Sequence, residues 1–513
     1  MNDDHTLHGI FVLVYLVALI GVGAMKARKI KSQEDFALAG RGLSTFVLVG
    51  TLLATWIGTG SIFGNAQETG RIGVPALLLP IGGVLGVLFI GFLAGRIRQF
   101  GQFTIQDILE ARYGVAARIL ATITLLSAYV IIVSYQYRAG QSVLSEIFGY
   151  ETDPATGEVL MSEGEPVYLV GRTAGIWIVA AFIVIYTALA GMFSVAYTDV
   201  VNGILMTIGI LAAIPFLLSE AGGLDAAIAA LPAGQQSITD HWNVALILSA
   251  VVPPLLLLLG DANMYQRFFS AKTVGSARSS AMALLVGVLV LECAIIFVAL
   301  LGSSLVHQGK LIEPRNPAHI VVFVAFKTLP PFLGAILVAT IVAIVVSTAD
   351  SFLLAPATSV VRDLYQRFIA PDASERQLVI MGRVVVVVLG LISLLLAFQS
   401  KEFFRVALFA YTLYGASLTP AMLAAFFWKR ANLQGAVASI LTGAIVSYIW
   451  YFDRIQLWTN ADGEPAGIAT YVQQQLDTEG IEAVIPALPL SVLALVIVSL
   501  LTKPPTELQS NAI

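Results

Sequence analysis

Residues 52–64 read LLATWIGTGSIFG, an apolar stretch that carries three glycines, Gly58, Gly60 and Gly64. The stretch lies inside a longer apolar run over residues 45–67, and about 20 apolar residues suffice for a helix that crosses a bilayer. Glycine is a poor helix former, so three glycines this close together predict an interruption of the helix. We therefore expect a membrane-spanning helix that is broken near its middle.

A second apolar run, near residues 243–266, carries a comparable interruption, because residues 253–263 read PPLLLLLGDAN. If residues 45–219 and 243–430 are two units of five helices, each unit opens with a broken helix. An odd number of helices per unit inverts the second unit relative to the first, and transporters commonly bind substrate between such inverted units. Close packing of helices is the alternative interpretation, since glycine and proline are frequent in membrane helices in general.

The composition fits a chain whose solvent is largely lipid. Hydrophobic residues make up 58% of the 513 residues and charged residues 12%, whereas about a quarter of the residues in soluble domains are charged. Apolar runs of spanning length occur near residues 7–25, 45–67, 74–96, 116–147, 170–190, 196–219, 243–266, 276–301, 331–360, 379–399, 404–427, 433–452 and 485–502. The sequence therefore predicts an all-α polytopic membrane protein of about 13 transmembrane helices.

Charged residues between these runs predict the orientation of the chain. Asp3 and Asp4 precede the first run and Lys26, Lys29 and Lys31 follow it, which is the charge order of a retained helix rather than of a signal peptide. Lys and Arg then recur in every second connection, as on the cytoplasmic side of membrane proteins. We expect a multi-pass protein of a bacterial inner membrane, with its N-terminus outside and its C-terminus in the cytoplasm. Among the connections placed outside, residues 148–169 and 220–242 contain no Lys or Arg, and residues 453–484 contain one Arg.

Several classes of function find no support in the sequence. The net charge of -4 and the lack of a basic block argue against a nucleic-acid partner. Cys293 is the single cysteine, so an internal disulfide is excluded, and no cluster of Cys and His predicts a metal site. An intramembrane enzyme is the alternative from another class, but the HExxH and GxSxG motifs are both missing. We expect no catalytic residues, no cofactor and no obligate protein partner.

Four motifs, in this order along the chain, resemble the sodium/solute symporter family, which includes the proline, pantothenate, sugar and high-affinity choline transporters. They are LLATWIG at 52–58, YTDV at 197–200, MYQR at 264–267, and STADS at 347–351 followed by RDLY at 362–365. The resemblance extends from the first span to about residue 430. It implies a ten-helix core of two inverted repeats, similar to the leucine-transporter fold, and sodium-coupled symport of a small organic solute by alternating access.

The resemblance also implies a division of the chain. An additional N-terminal helix and a cytoplasmic loop occupy residues 1–44, and the first repeat, with its first helix broken, occupies residues 45–219. An outer loop over residues 220–242 leads to the inverted second repeat, residues 243–430, whose first helix is also broken. Two C-terminal helices and a short cytoplasmic tail form residues 431–513.

In this family a sodium ion lies between the first and eighth helices of the core. The resemblance implies that the ligands are the carbonyls of Ala54, Ile57 and Ile344 and the hydroxyls of Ser347 and Thr348. Sodium is a hard cation that prefers oxygen ligands, and an interrupted helix leaves carbonyl groups free to supply them. The alternative interpretation is that the two hydroxyls only bond to carbonyls of their own helix, four residues earlier.

Asp199 and Asp350 are predicted to form a secondary path for the ion or for a proton. Ionisable residues inside a membrane span are costly and are functional candidates for that reason. A plain structural role for Asp199 remains open, since we place it close to the membrane interface. Proton coupling or uniport on the same scaffold is the alternative mechanism, with Asp199 or Asp261 as the proton carrier.

The solute is expected to be an amino acid, a betaine or amine, or a carboxylate. Trp56 stands where the choline branch would use an aromatic ring for cation–π attraction to a quaternary amine. Arg138 and Asp261 together would suit a zwitterion, but Arg138 could instead pair with Asp261 or with Glu68. We interpret Glu292, the lone charge of its span, as peripheral. The predicted solute-binding residues are Trp56, Thr59, Ser61, Tyr135, Gln136, Arg138, Asp261 and Asn263.

Overall fold

The computed structural model describes residues 3–27, 30–151, 153, 156, 160–162, 165–240, 244–399, 403–454, 482–506 and 509. Much of the predicted connection at 453–484, and with it part of the C-terminal unit at 431–513, lies outside the described residues. The helices are α1 (Asp3–Ala27), α2 (Gln33–Leu38), α3 (Thr45–Trp56), α4 (Asn65–Ile72), α5 (Ile81–Phe100), α6 (Ile105–Tyr113), α7 (Val115–Phe148), α8 (Arg172–Glu220), α9 (Leu224–Ala229), α10 (Val244–Gly260), α11 (Ala262–Ser270), α12 (Val274–His307), α13 (Ile320–Lys327), α14 (Pro331–Ser359), α15 (Glu375–Ala397), α16 (Phe404–Phe427), α17 (Leu433–Arg454) and α18 (Val484–Leu501).

The described chain is helical apart from one small hairpin. Strands β1 (Met161–Ser162) and β2 (Glu165–Pro166) pair antiparallel in the connection between α7 and α8. Eleven of the helices are long and apolar enough to cross a membrane, and the bent pair α3 and α4 is a twelfth candidate. The predicted class, an all-α polytopic membrane protein, is confirmed.

The predicted number of about 13 spans differs from this count because α8 is one helix of 49 residues. At 1.5 Å per residue a straight helix of 49 residues would be roughly 74 Å long, more than twice the thickness of a bilayer core of about 30 Å. Gly191 interrupts it with φ 59° and ψ 173°, a conformation that glycine adopts without steric cost. The interruption falls between the predicted spans 170–190 and 196–219, so α8 accounts for both of them.

The first predicted break is present where the glycines indicated it. Helix α3 ends at Trp56, and Ile57 is extended, with φ -70° and ψ 98°. A single π-helical turn over Gly60–Gly64 then leads into α4. The direction of the span changes by 49° between its two halves, so this span is bent as well as interrupted.

The second break lies at Asp261 and not at the prolines. Pro253 and Pro254 lie within α10, which continues to Gly260. Asp261 is extended, and its carboxylate begins α11 by accepting a hydrogen bond of 2.7 Å from the backbone N–H of Asn263. An Asp side chain is well suited to this N-cap role, so the polar residue rather than the proline pair determines where the helix ends.

Helix α10 packs closely between α5 and α16. A Cβ atom on Gly82 of α5 would overlap the carbonyl oxygen of Val251, and one on Gly415 of α16 would lie 2.6 Å from Cβ of Leu256. Small residues allow helix backbones to approach in this way inside membranes. Glycine thus serves packing around the second broken span, while it interrupts the helix in the first.

Candidate ion and solute site

Helix α14 crosses the first break and brings two hydroxyl groups to its free carbonyls. Ser347 Oγ donates to the carbonyl of Ala54 at 3.1 Å and lies 3.2 Å from the carbonyl of Ile344 in its own helix. Thr348 Oγ1 donates to the carbonyl of Ile57 at 3.3 Å. All five residues are buried. The five predicted sodium ligands therefore lie together, and both hydroxyls contact the broken helix rather than only their own.

The carbonyls of Ala54 and Ile57 are available because α3 ends there, whereas the carbonyl of Ile344 lies within α14. A regular helix would use each of them to accept an N–H four residues further along. The second break differs, since its last carbonyls accept tyrosine hydroxyls: Gly260 from Tyr414 at 2.8 Å and Leu259 from Tyr265 at 3.1 Å. Of the two breaks, the first is thus the one whose carbonyls contact only small hydroxyl side chains.

Asp199 belongs to a fully buried polar network beside this cluster. Its carboxylate accepts a hydrogen bond of 2.6 Å from Thr51 and lies 3.4 Å from the guanidinium of Arg267. Arg267 also donates to Ser351 at 2.7 Å and to the hydroxyl of Thr51 at 2.9 Å. Asp350 joins the network through Ser351, at 3.3 Å. Arg267 thus pairs with Asp199 and is connected to Asp350 through the Ser351 hydroxyl. The sequence alone did not indicate Arg267 as the partner of Asp199.

A small cavity opens on the other side of the first break. It encloses about 50 Å³, and its walls come from α3, the π-helical turn, α4, α5, α10, α12 and α16. Trp56 and Ser61, both predicted to bind the solute, line it. The complete lining is Trp56, Gly60, Ser61, Asn65, Leu79, Pro80, Gly83, Ala250, Pro254, Glu292, Phe404, Ala407, Leu408 and Tyr411.

Glu292 lies in the wall of this cavity, so our interpretation of it as peripheral is wrong. Its carboxylate accepts hydrogen bonds from Ser61 Oγ at 2.7 Å and from Asn65 Nδ2 at 2.8 Å. Both donors belong to the segment that follows the first break. Glu292 appeared isolated because its partners are more than two hundred positions away in the chain. Ser61 and Asn65, two polar residues four positions apart in an otherwise apolar stretch, were the available signal.

The segment at the first break is also attached to α7. This attachment involves the predicted residues Thr59, Gln136 and Tyr135. The hydroxyl of Thr59 donates to the side-chain carbonyl of Gln136, which anchors the interrupted segment to α7. The Tyr135 hydroxyl is hydrogen-bonded to that of Tyr411, which lines the cavity. All three predicted residues are buried, and none of them is part of the cavity lining.

Among the described contacts Asp261 and Arg138 do not pair with each other, and neither of them lines the cavity beside the first break. Asp261 caps α11 and accepts a hydrogen bond of 2.7 Å from Tyr129. The guanidinium of Arg138 lies over the ring of Phe403, at 4.9 Å from its centre. Glu68, the other suggested partner of Arg138, pairs with Arg71 at 2.7 Å. Asn263 is fully buried, and its side-chain amide has no hydrogen-bond partner among the described residues.

An aromatic cluster next to Arg138 covers the end of the first broken span. The ring of Phe63 lies 5.9 Å from His319 and 5.2 Å from Phe403. Burial, together with the positive charge of Arg138, lowers the pKa of His319 to about 4. His319 is therefore neutral at physiological pH and packs as an aromatic ring.

A family model of known proteins matches most of the chain. The family model described as "Sodium:solute symporter family" matches residues 36–162 and 169–443. The chain belongs to the sodium:solute symporter family. This family membership confirms the predicted class of function, sodium-coupled transport of a solute by a multi-pass membrane protein.

The similarity to individual symporters extends over nearly the whole chain. The osmoregulated proline transporter of Bacillus subtilis is 24% identical over 96% of this chain and 94% of that protein. The high-affinity choline transporter 1 of Caenorhabditis elegans is 25% identical over 86% of this chain and 78% of that protein.

The fold is also similar to that of a transporter of known structure. The substrate-bound, outward-open structure of a Na⁺-coupled sialic acid symporter superimposes with a TM-score of 0.76 at 17% sequence identity. The alignment covers 98% of this chain and 99% of that chain. The predicted resemblance to the transporter fold of this class is thereby confirmed.

Proposed function

We propose that this symporter imports a small organic solute together with sodium, with the ion bound at the five-oxygen cluster of the first break. The observation that supports this proposal is the convergence of Ala54, Ile57 and Ile344 carbonyls with the hydroxyls of Ser347 and Thr348. Each hydroxyl lies 3.1 to 3.3 Å from a backbone carbonyl, so a cation between them would find several oxygens within reach. Oxygen ligands of this kind suit a hard cation.

Ion and solute would be coupled through the broken helix that they share. Ala54 and Ile57 would hold the ion, and Trp56 and Ser61 line the cavity within the same short segment. Sodium binding would fix the end of α3 against α14 and thereby arrange the cavity wall. Coupling of this kind requires that both ligands favour the same conformation, which the shared segment provides.

The cavity must enlarge for a solute to bind. Its volume of about 50 Å³ is small beside the roughly 300–1,000 Å³ of typical small-molecule sites. Two interrupted helices and a glycine-lined contact around α10 supply parts that can move. We infer alternating access, driven by the sodium gradient and by the membrane potential, which is worth about 2.3 kcal/mol per charge at 100 mV.

The charges of the connections support an orientation with the N-terminus outside and the C-terminus in the cytoplasm. We place the protein in a bacterial inner membrane. Lys26, at the end of α1, lies 3.7 Å from the centre of the Tyr197 ring. Asp199 is two residues further along, so its network lies toward the proposed cytoplasmic face. Asp199 and Asp350 would attract the ion on its way out of the site.

Proton coupling on the same scaffold is the second candidate. It is favoured by one observation: two buried carboxylates, Asp199 and Asp350, lie in a network that contains a single guanidinium, which pairs with Asp199 and reaches Asp350 through Ser351. In this mechanism one of the two carboxylates would bind and release the proton. We propose neither a catalytic role nor an obligate protein partner or resident cofactor for this chain. Sodium is a transported ion.

The solute belongs to the range defined by the named relatives, which includes a proline and a choline transporter. Among the described residues, the side-chain amide of Asn263 and the side-chain nitrogen of Gln136 are buried without hydrogen-bond partners, and such groups in native structures call for a ligand or water. We propose that they face the solute once the cavity has opened.

Uptake into liposomes tests the coupling. Purified protein is reconstituted, and accumulation of labelled proline or choline is followed with an imposed sodium gradient, an imposed pH gradient, or neither. Accumulation that needs sodium supports the proposal. Accumulation that follows the pH gradient and ignores sodium would transfer the assignment to the proton-coupled candidate.

A further inference from the structure

Glu292 is the one formally charged residue that lines the cavity beside the first break. It is 5% exposed, and the described lining contains neither Lys nor Arg. A charge inside a membrane span is costly unless it is paired or solvated. The cavity wall therefore carries one negative charge that the described part of the wall does not neutralise.

The two buried arginines described above, Arg267 and Arg138, interact with other groups. Arg267 interacts with Asp199, Ser351 and Thr51, and Arg138 lies over Phe403. Among the described residues, no Lys, Arg or His forms an ion pair with Glu292. A positive charge for this carboxylate must consequently come from a ligand or a bound proton.

The carboxylate has capacity left for a ligand. Two carboxylate oxygens offer about four acceptor positions. Ser61 occupies one of them and Asn65 another, at 2.7 and 2.8 Å. These two donors also hold the side chain in a defined orientation at the cavity wall. A positively charged nitrogen could therefore approach without displacing either donor.

Aromatic rings complete the environment that a cationic group prefers. Trp56 neighbours the Glu292 carboxylate, and Phe404 and Tyr411 line the same cavity. The faces of aromatic rings attract ammonium groups, most strongly those of tryptophan. Apart from Ser61 and Asn65, the rest of the lining is apolar, so a neutral or anionic solute would leave the carboxylate without a positively charged partner.

We propose that Glu292 determines specificity and restricts transport to solutes that carry a positively charged nitrogen, in an ammonium group that binds between the carboxylate and Trp56. The inference rests on the proposed function and adds the chemical class of the solute. Substrates without such a nitrogen, such as sugars or simple carboxylates, are excluded by the cost of an unpaired buried charge.

Matched pairs of solutes test the charge requirement directly. Choline is compared with 3,3-dimethyl-1-butanol, in which carbon replaces the charged nitrogen, and proline with cyclopentanecarboxylate. The thermal stability of the full-length protein in detergent is measured against solute concentration, with sodium and with potassium. At least one nitrogen-containing solute is expected to stabilise the wild type, and its carbon analogue is not. Stabilisation by a carbon analogue as strong as by its partner, or no stabilisation by either nitrogen solute, would overturn the inference.

Variants then locate the requirement at residue 292. Glu292→Gln retains the shape of the side chain: its amide oxygen can still accept from Asn65, and its NH2 group can donate to the Ser61 hydroxyl, so the charge is the main loss. Its affinity for the nitrogen solute should fall about 10- to 100-fold, the effect of losing an interaction with a charged group. Glu292→Asp keeps the charge and should keep the preference for nitrogen, which covers the case in which the Gln variant does not fold. Glu68→Gln removes a carboxylate that pairs with Arg71 on α4 and serves as the matched control.

The sodium measurements separate this inference from the proposed function. If Glu292→Gln retains full affinity for the nitrogen solute while sodium still stabilises the protein, Glu292 does not determine specificity and sodium coupling stands. If sodium has no effect on the wild type, the proposed coupling fails, whatever the preference among solutes. An equal loss in Glu68→Gln and Glu292→Gln would show a nonspecific effect of removing charge and would reject the role of Glu292.

Discussion

Replacement of Thr348 by valine removes one proposed sodium ligand and little else. Valine has the shape of threonine, so the buried contact of α14 with the first break is retained. The lost group is the hydroxyl that lies 3.3 Å from the carbonyl of Ile57. An interaction of a charged group with one oxygen ligand is worth about 1.5–3 kcal/mol.

This energy corresponds to a clear change in sodium affinity. At 1.4 kcal/mol for each factor of ten, Thr348→Val should raise the half-saturating sodium concentration by roughly 10- to 100-fold. Ser347→Ala removes a second of the five oxygens, and the double variant should need still more sodium. Affinity for the solute should decrease only as far as it depends on bound sodium.

Sodium titration of thermal stability and of uptake in liposomes measures the effect. Thr340→Val is the matched control, because Thr340 is a buried threonine of the same helix whose hydroxyl donates to Leu205 at 3.0 Å. An unchanged sodium titration in Thr348→Val and in the double variant would refute the proposed ion site. An equal shift in Thr340→Val would show that the loss of any buried hydroxyl in α14 accounts for the effect.

Three further predictions concern the groups around this site. Asp199→Asn leaves Arg267 buried beside a neutral partner and should destabilise the fold by about 3–5 kcal/mol; thermal unfolding in detergent measures this, and a loss within error would contradict the pairing. Trp56→Leu should weaken solute affinity far more than sodium affinity, and equal losses in both titrations would reduce Trp56 to a packing role. His319 has a folded-state pKa of about 4, below its ordinary value of 6.5, so the unfolded state binds more protons and stability should fall as pH decreases from 6.5 towards 4. Because the shift is about 2.5 pKa units, the loss should reach about 3 kcal/mol, and His319→Phe should remove that part of the pH dependence of unfolding.

The first break could be predicted from sequence because its cause is local. Gly58, Gly60 and Gly64 interrupt the helix within the stretch that they occupy, and the structure places the break there. The second break lies near the end of the segment 253–263 that indicated it, because Pro253 and Pro254 are accommodated inside α10. Membrane helices tolerate proline where neighbouring groups satisfy the freed carbonyl, so proline is a weaker signal than a capping carboxylate.

The cavity wall could not be predicted to the same extent, because its contacts join distant segments. Ser61 and Asn65 reach Glu292 across more than two hundred residues, and hydropathy alone shows Glu292 as an isolated charge. The surroundings of Arg138 and Asp261 could not be predicted for the same reason. The guanidinium of Arg138 lies over Phe403, and the carboxylate of Asp261 accepts a hydrogen bond from Tyr129. Distances of this kind depend on how helices pack, which periodicity along one helix does not reveal.

The glycine contacts of α10 bear on the direction in which this helix can travel. Interlocked side chains resist axial displacement, because each ridge must climb over the next. Gly82 and Gly415 present no such ridges to Val251 and Leu256, so axial translation meets little steric resistance there. Outward separation, by contrast, would sacrifice the close backbone contact along the whole helix. At these two contacts lengthwise displacement therefore meets less steric resistance than outward separation, and it would carry Asp261 and the start of α11 along the axis of α10 rather than sideways.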